Sequence, residues 1–331
     1  MKKVKIILAV LSILIISGCS AVAESSSGYS AEEGPQTEES SSTGTADSDE
    51  PVKSADENGV YVVDGYAAKL NYPLDEKSVD YAAKRFEYVY EQYLKDSCAN
   101  IYVIVIPDKN NFLAKQNGYP SIDYSRLTTL LTEKMDYAEY IDIYSLLELS
   151  DYYRTDTHWR QEKITDIADK IAAAMGVELS QEYTQTTLDV PFYGVHCRQS
   201  DITVEPDQLV YLQNEQLSEC RVYDAETDSY TDVYNIEAAS GDDPYEIFLS
   251  GAKSLLTIEN PNASTDKELV IFRDSFACSL APLLAEGYSK ITLVDIRYLS
   301  PVLLGRFVDF HGQDILFLYS TLVLNNSTII K

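Results

Sequence analysis

Apolar positions along the chain fall into three kinds of run. Continuous apolar blocks, IYVIVIP (101–107), ELVIFRD (268–274), ITLVDIRYL (291–299) and DILFLYST (314–321), predict strands buried on both faces. Helical spacing marks DEKSVDYAAKRFEYVYEQYL (75–94), where Val79, Ala82, Phe86, Tyr90 and Tyr93 share a face. The same spacing predicts helices over SRLTTLLTEKM (125–135), QEKITDIADKIAAAM (161–175) before Gly176, and SFACSLAPLLAEGY (275–288) with Gly287 as its stop. Shorter patterns predict a strand or hairpin at VYVVDGYAAKL (60–70) and strands at EYIDIYS (139–145), QLVYLQ (208–213) and RVYD (221–224). The region from about 180 to 250 is otherwise irregular, and the chain shows no internal repeat. Strands alternating with helices predict an α/β fold with a mostly parallel sheet covered on both faces.

The first residues follow another logic. MKKVKIILAVLSILIISGCS has three early lysines, an apolar run from Ile6 to Ile16, and then Ser17-Gly18-Cys19. The run is short for a membrane span and reads as a signal peptide over 1–18. Its end resembles a bacterial lipobox, which implies cleavage before Cys19, lipidation of its sulfur and anchoring to the membrane by acyl chains. The alternatives are a plain secretory signal or an uncleaved anchor. Residues 19–58 are dominated by Ser, Thr, Glu, Asp and Gly, and predict a disordered, self-repelling tether before a globular domain over 59–331.

Composition narrows the partners. The formal net charge is −27, which repels phosphate backbones and excludes nucleic acid as a partner. Tyr is abundant, 26 against 9 Phe, which suits sugar-binding surfaces and ordinary strands alike. Cys98, Cys197, Cys220 and Cys278 have no zinc spacing; Cys197 and Cys220 can pair in an extracytoplasmic location, and buried thiols are the equal alternative. No cluster predicts a metal site, and no Gly-rich phosphate loop or other cofactor motif occurs.

Candidate chemistry sits in two places. In DYYRTDTHWR, Asp156 and His158 are two apart, beside the single Trp of the chain. In an extended stretch such residues point the same way, so the carboxylate can orient the imidazole as a general base. Taken alone, a helix cap from Thr155, Asp156 or Thr157 is the simpler account. In VIFRDSFACSL, Ser275 lies where a buried strand turns into a helix, the edge at which open α/β sheets bind ligands. Backbone N–H groups there can hold an oxyanion; a plain N-cap from Asp274 or Ser275 is the alternative. Together, Asp156, His158 and Ser275 supply what a serine hydrolase or acyltransferase requires. Softer candidates for substrate binding are Arg297, which an ion pair with Asp295 would also explain, and Tyr193 and His196 in PFYGVHCRQS. His311 reads as a turn residue.

YYRTDTHW, with IFRDSFACSLAPLLAEGYSKITLVDIRYL downstream, resembles the DHHW proteins of Gram-positive bacteria. These are similar to the SGNH-hydrolase-like domain of the alginate O-acetylation proteins AlgJ and AlgX. The segments IPDKNNFLAKQNGYPSIDYSRL (106–127) and FLYSTLVLNNS (317–327) share the resemblance, which covers Gly59 to Lys331. It implies a three-layer α/β/α sandwich with active-site segments in permuted order, Ser275 as nucleophile, His158 as base and Asp156 as its orienter. It implies transfer or hydrolysis of acetyl esters on a cell-surface polysaccharide, beside a membrane-bound O-acyltransferase as acetyl donor. Two positions depart from the family pattern. Thr157 replaces the first His of Asp-His-His-Trp. Gly251-Ala252 stands where the family carries Gly-Asn, which leaves the backbone N–H groups of Gly251 and Ser275 as the oxyanion hole. The second departure also admits a non-catalytic polysaccharide-binding or scaffold protein.

Overall fold

The computed structural model describes residues 53–180 and 182–331. The signal segment, Cys19 and the tether up to residue 52 lie outside the described residues. The folded body begins before Gly59: Lys53 N–H donates to Gly118 O at 2.8 Å, and Asp56 Oδ1 accepts Val60 N–H at 2.7 Å.

The first elements are strands β1 (Val60–Val63) and β2 (Tyr66–Lys69). Their hairpin turns on Asp64 (φ 50°) and Gly65 (φ 79°), the left-handed pair that a tight right-twisted hairpin requires. Helix α1 (Glu76–Val89) is capped by Asp75, whose carboxylate accepts from Lys77 and Ser78 N–H. Then come β3 (Ile101–Ile106), the short α2 (Asn110–Leu113), α3 (Tyr124–Thr132), β4 (Glu139–Tyr140) and α4 (Thr165–Ala174). The middle holds β5 (Thr184–Phe192), α5 (Val195–Gln199), β6 (Asp207–Gln213), α6 (Glu215–Glu219), β7 (Arg221–Asp224) and β8 (Ser229–Thr231). The chain closes with β9 (Leu255–Glu259), β10 (Glu268–Arg273), α7 (Ala277–Leu284), β11 (Lys290–Val294), β12 (Asp314–Ser320) and α8 (Thr321–Leu324).

An eight-stranded sheet runs β4-β3-β12-β10-β11-β9-β7-β8. Its first five strands are mutually parallel, and β9, β7 and β8 extend it antiparallel. The period-two alternation of side chains splits the core in two. Ile104, Ile106, Ile271, Leu316 and Leu318 face one layer with α4 and α7. Val103, Val105, Val270, Phe272, Ile315 and Phe317 face the other, with α1 and α3. The result is the α/β/α sandwich that the continuous apolar blocks require. A separate antiparallel pair, β5 and β6, packs Phe192, Leu209 and Tyr211 with Tyr153 and Tyr245.

Two strands are shorter than their apolar runs. The 139–145 strand ends at Tyr140, because Asp142 Oδ1 accepts Tyr144 N–H at 2.9 Å and turns the chain. The 291–299 strand ends at Val294, because Asp295 Oδ1 accepts Arg297 N–H at 3.0 Å. The 275–288 helix is regular only over Ala277–Leu284, and Ser275 stands in the turn before it.

The carboxyl end of β3 is pinned by Asp108, which is 2% exposed. Its carboxylate accepts from Asn71 Nδ2 (2.8 Å), Thr321 Oγ1 (2.8 Å), Tyr124 Oη (3.0 Å) and the Asn110 backbone (2.9 Å) and amide (2.6 Å). Removing it strands these buried donors together. Asp108→Ala is expected to lower unfolding free energy by about 3 kcal/mol or more, measured by urea denaturation.

Candidate active site

Ser275 lies just beyond β10, at the carboxyl edge of the sheet. Asp274 fixes this turn: its Oδ1 accepts Phe276 N–H at 3.1 Å, and its Oδ2 accepts Ser320 N–H at 2.7 Å. The Ser275 side chain is half-buried and reachable, and its N–H donates to no acceptor among the described residues. The Ser275 hydroxyl is 2.7 Å from His158 Nε2, and His158 Nδ1 is 2.6 Å from Asp156 Oδ2. A carboxylate only accepts, so Nδ1 carries the proton and Nε2 is left to receive one from the serine. Asp156 and His158, two residues apart, and Ser275, 117 residues beyond His158, thus form one hydrogen-bonded chain.

Asp156 is 1% exposed. Burial pushes its carboxyl up, but the His158 ring and hydrogen bonds from Val195 N–H (2.8 Å) and His158 N–H (3.1 Å) outweigh this and hold it below the usual range. The loop that delivers Val195 approaches closely: an ideal Cβ on Gly194 would lie 2.2 Å from Asp156 Cβ, so only glycine fits. Asp207 fixes the same segment from β6, accepting Arg154 N–H (2.9 Å), Thr155 N–H (2.8 Å) and Thr155 Oγ1 (2.7 Å). Lys109 completes the frame. The residue is 2% exposed, and its ammonium donates to Tyr153 O (2.9 Å), Arg154 O (3.3 Å) and Ala67 O. Burial pushes this amine down to about 8. Lys109, Asp207 and Gly194 carried no signal in the sequence, because their partners are distant in the chain.

The other expected residues divide. Tyr193 is 49% exposed and neighbours Gly194, so its ring is open beside the Asp156 loop. His196 lies within the fold, 4% exposed, and is no cleft residue; its N–H donates to Thr155 O at 3.1 Å and its Nδ1 has no partner among the described residues. Arg297 is tied to Asp295 by two bonds, Nε to Oδ1 at 2.9 Å and Nη2 to Oδ2 at 2.7 Å, the ion pair weighed above. Gly251 is a correction: its N–H donates to Phe248 O at 3.0 Å and is not open to an oxyanion. The cause is a tight left-handed turn through Leu249 (φ 55°), Ser250 (φ 55°) and Gly251 (φ 85°). Cys98, Cys197, Cys220 and Cys278 are all unpaired, so Cys197 and Cys220 form no bridge. Among the described residues, no group of His, Cys, Asp or Glu is placed to hold a metal.

Solved structures share this architecture. A DHHW family protein from Eubacterium siraeum superposes with a TM-score of 0.67 at 21% identity, over 84% of this chain and 97% of that one. The chain has the fold of a DHHW family protein. PatB1 from Bacillus cereus, solved with a sulfonyl adduct, gives a TM-score of 0.61 at 17% identity over 80% of this chain and 95% of its own. The O-acetyltransferase domain of Pseudomonas putida AlgJ gives 0.50 at 12% identity, over 81% of this chain and 92% of that one. Neither a protein-family model nor a curated protein matches the chain.

Two outcomes follow from the packing around Asp156. Gly194→Ala is expected to destabilise by about 1–3 kcal/mol in thermal melts, because Asp156 must move. His196 supplies a pH effect. Burial, then Lys109, holds its imidazole down to about 3. The unfolded chain takes up that proton nearer 6.5, so it binds more protons across the interval, and stability falls as pH drops through it. At pH 5.5 the loss is about 1.4 kcal/mol relative to pH 7.5, and His196→Phe should flatten that slope in urea titrations.

Proposed function

We propose that the chain is a serine-dependent acyl-transfer enzyme that adds acetyl groups to, or removes them from, hydroxyls of a cell-surface polysaccharide. The carrying observation is the continuous chain Asp156–His158–Ser275, with bonds of 2.6 and 2.7 Å, at the carboxyl edge of the sheet. The shared fold with PatB1 and the AlgJ O-acetyltransferase domain agrees with it. Ser275 Oγ attacks the acetyl carbonyl while His158 Nε2 takes the hydroxyl proton. Asp156 holds Nδ1–H and stabilises the imidazolium. His158 then returns the proton to the leaving group, and the acetyl ester remains on Ser275. A sugar hydroxyl gives its proton to His158, attacks that ester and releases Ser275. Water in place of the sugar makes the same site an esterase. No cofactor enters either half-reaction.

The N-terminal reading extends the proposal to place and partners. A lipidated Cys19 would hold the domain outside the cytoplasm through the Ser- and Glu-rich segment that follows it, within reach of polysaccharide and of a membrane-bound O-acyltransferase donating acetyl groups. Among the described residues, no helix is long and apolar enough to cross a membrane.

A second reading has its own observation. Ala252 offers no side-chain donor, and Gly251 N–H is already given to Phe248. Losing one oxyanion donor costs about 10²–10³ in rate, so a polysaccharide-binding or scaffold partner is the alternative. The domain from Lys53 onward decides between them. With an activated acetyl ester, turnover and an acetyl label on Ser275 are expected. Ser275→Ala should abolish both, and His158→Ala should lower turnover about 10⁴-fold. A folded domain with neither turnover nor label favours the binding reading.

A further inference from the structure

The ring of Tyr245 lies flat against the His158 imidazole, with centroids 3.8 Å apart and planes 4° from parallel. We propose that Tyr245 is a positioning residue for acid–base chemistry, whose ring face both fixes the plane of His158 and stabilises the imidazolium it forms. The proposal rests on the acyl-transfer reading, in which His158 cycles through a protonated state.

Tyr245 is well held for such a role. It is 3% exposed, in the turn Pro244–Ile247, whose start is capped by Asp243. Its hydroxyl meets Ser279 Oγ at 2.9 Å, and Ser279 Oγ also accepts Trp159 Nε1–H at 2.9 Å. Ser279 lies on α7, one turn beyond the nucleophile, and Trp159 follows His158 directly. The ring stacked on the base is therefore anchored to the helix that follows the nucleophile. Phe276 meets the imidazole at a tilt, 4.9 Å between centroids. Burial keeps the Tyr245 phenol protonated, so it adds a ring face and no anion.

A neutral imidazole gains modestly from parallel stacking. A protonated one gains more, because its charge then rests on the negative face of the ring. The ring nitrogens of His158 are met by the Asp156 carboxylate at Nδ1 and the Ser275 hydroxyl at Nε2. His196 also acts electrostatically on His158 and Asp156, and Lys109 on Asp156; both are kept when Tyr245 is replaced, so they are common to every variant compared.

The test compares Tyr245→Phe, Tyr245→Leu and a pentafluorophenylalanine at this position, which keeps the ring's shape and reverses its quadrupole. Tyr245→Phe keeps the face and should stay within about threefold of the parent turnover. In Tyr245→Leu the charged imidazole loses support, so the acid limb of the pH–rate profile should move down by about half a unit and turnover fall about tenfold. The fluorinated ring should move the limb down at least as far. A limb that stays in place with the leucine or the fluorinated ring overturns the proposal, as does Tyr245→Phe behaving like Tyr245→Leu. If the leucine variant does not fold, the two isosteric rings decide. An NMR titration of the His158 ring in the same variants needs no turnover. A domain without esterase activity but with the expected shifts counts against the acyl-transfer reading alone, and unchanged titration counts against the stack.

Discussion

A carboxylate buried out of reach of water must have donors, and Asp156 draws them from two parts of the chain. His158 supplies its ring and its N–H from two residues away; Val195 supplies an N–H from a separate loop. That need organises the surroundings. Gly194 lacks a side chain so that its loop can touch Asp156. Asp207 and Lys109 hold the backbone before Asp156 from β6 and from the loop after β3. The site is thus a seam where the small β5–β6 sheet, the β1–β2 hairpin and the central sheet meet, with Asp156 at its centre.

Charge in the interior follows the same rule. The chain is strongly acidic, yet two of its buried cations, Lys109 and Arg273, are met by backbone carbonyls. Lys109 donates to three. Arg273, fully buried, donates to Lys253 O at 3.1 Å and lies 4.0 Å from Asp295, whose carboxylate Arg297 holds. A carbonyl partner ties a cation to a particular stretch of backbone, and both stretches border the site: Tyr153–Arg154 before Asp156, and Lys253 after the left-handed turn. Buried cations are costly, and losing such a carbonyl partner would leave a charge unpaired.

That left-handed turn spans Gly251, one of the positions where the resemblance implies an oxyanion donor. Leu249 and Ser250 both have positive φ, conformations that side chains with a Cβ resist. The turn closes on Phe248 O and consumes the Gly251 N–H. The Ser275 N–H has no acceptor among the described residues, and α7 begins two residues later. The hydrogen-bonded chain Asp156–His158–Ser275 is therefore complete, while the side where the resemblance implies an oxyanion hole has fewer donors than it implies.

Several features were legible in the chain itself. The middles of β3, β10 and β12 are apolar at consecutive positions, and only strands covered on both faces bury such runs. Asp64-Gly65 specifies its own turn. Asp156 and His158 are close enough in sequence to meet through local geometry, and Ser275 follows a buried strand. Where strands ended was less legible, because Asp142 and Asp295 close local turns within apolar runs. Tyr245, Gly194, Asp207 and Lys109 gave no signal, since each acts on residues dozens of positions away. Whether Asp156 caps a helix or meets the His158 ring was likewise undecided by the residues themselves. Folding joins Asp156, His158 and Ser275 into one hydrogen-bonded chain, because a bond between residues 117 positions apart exists only once the sheet has brought both ends to one edge.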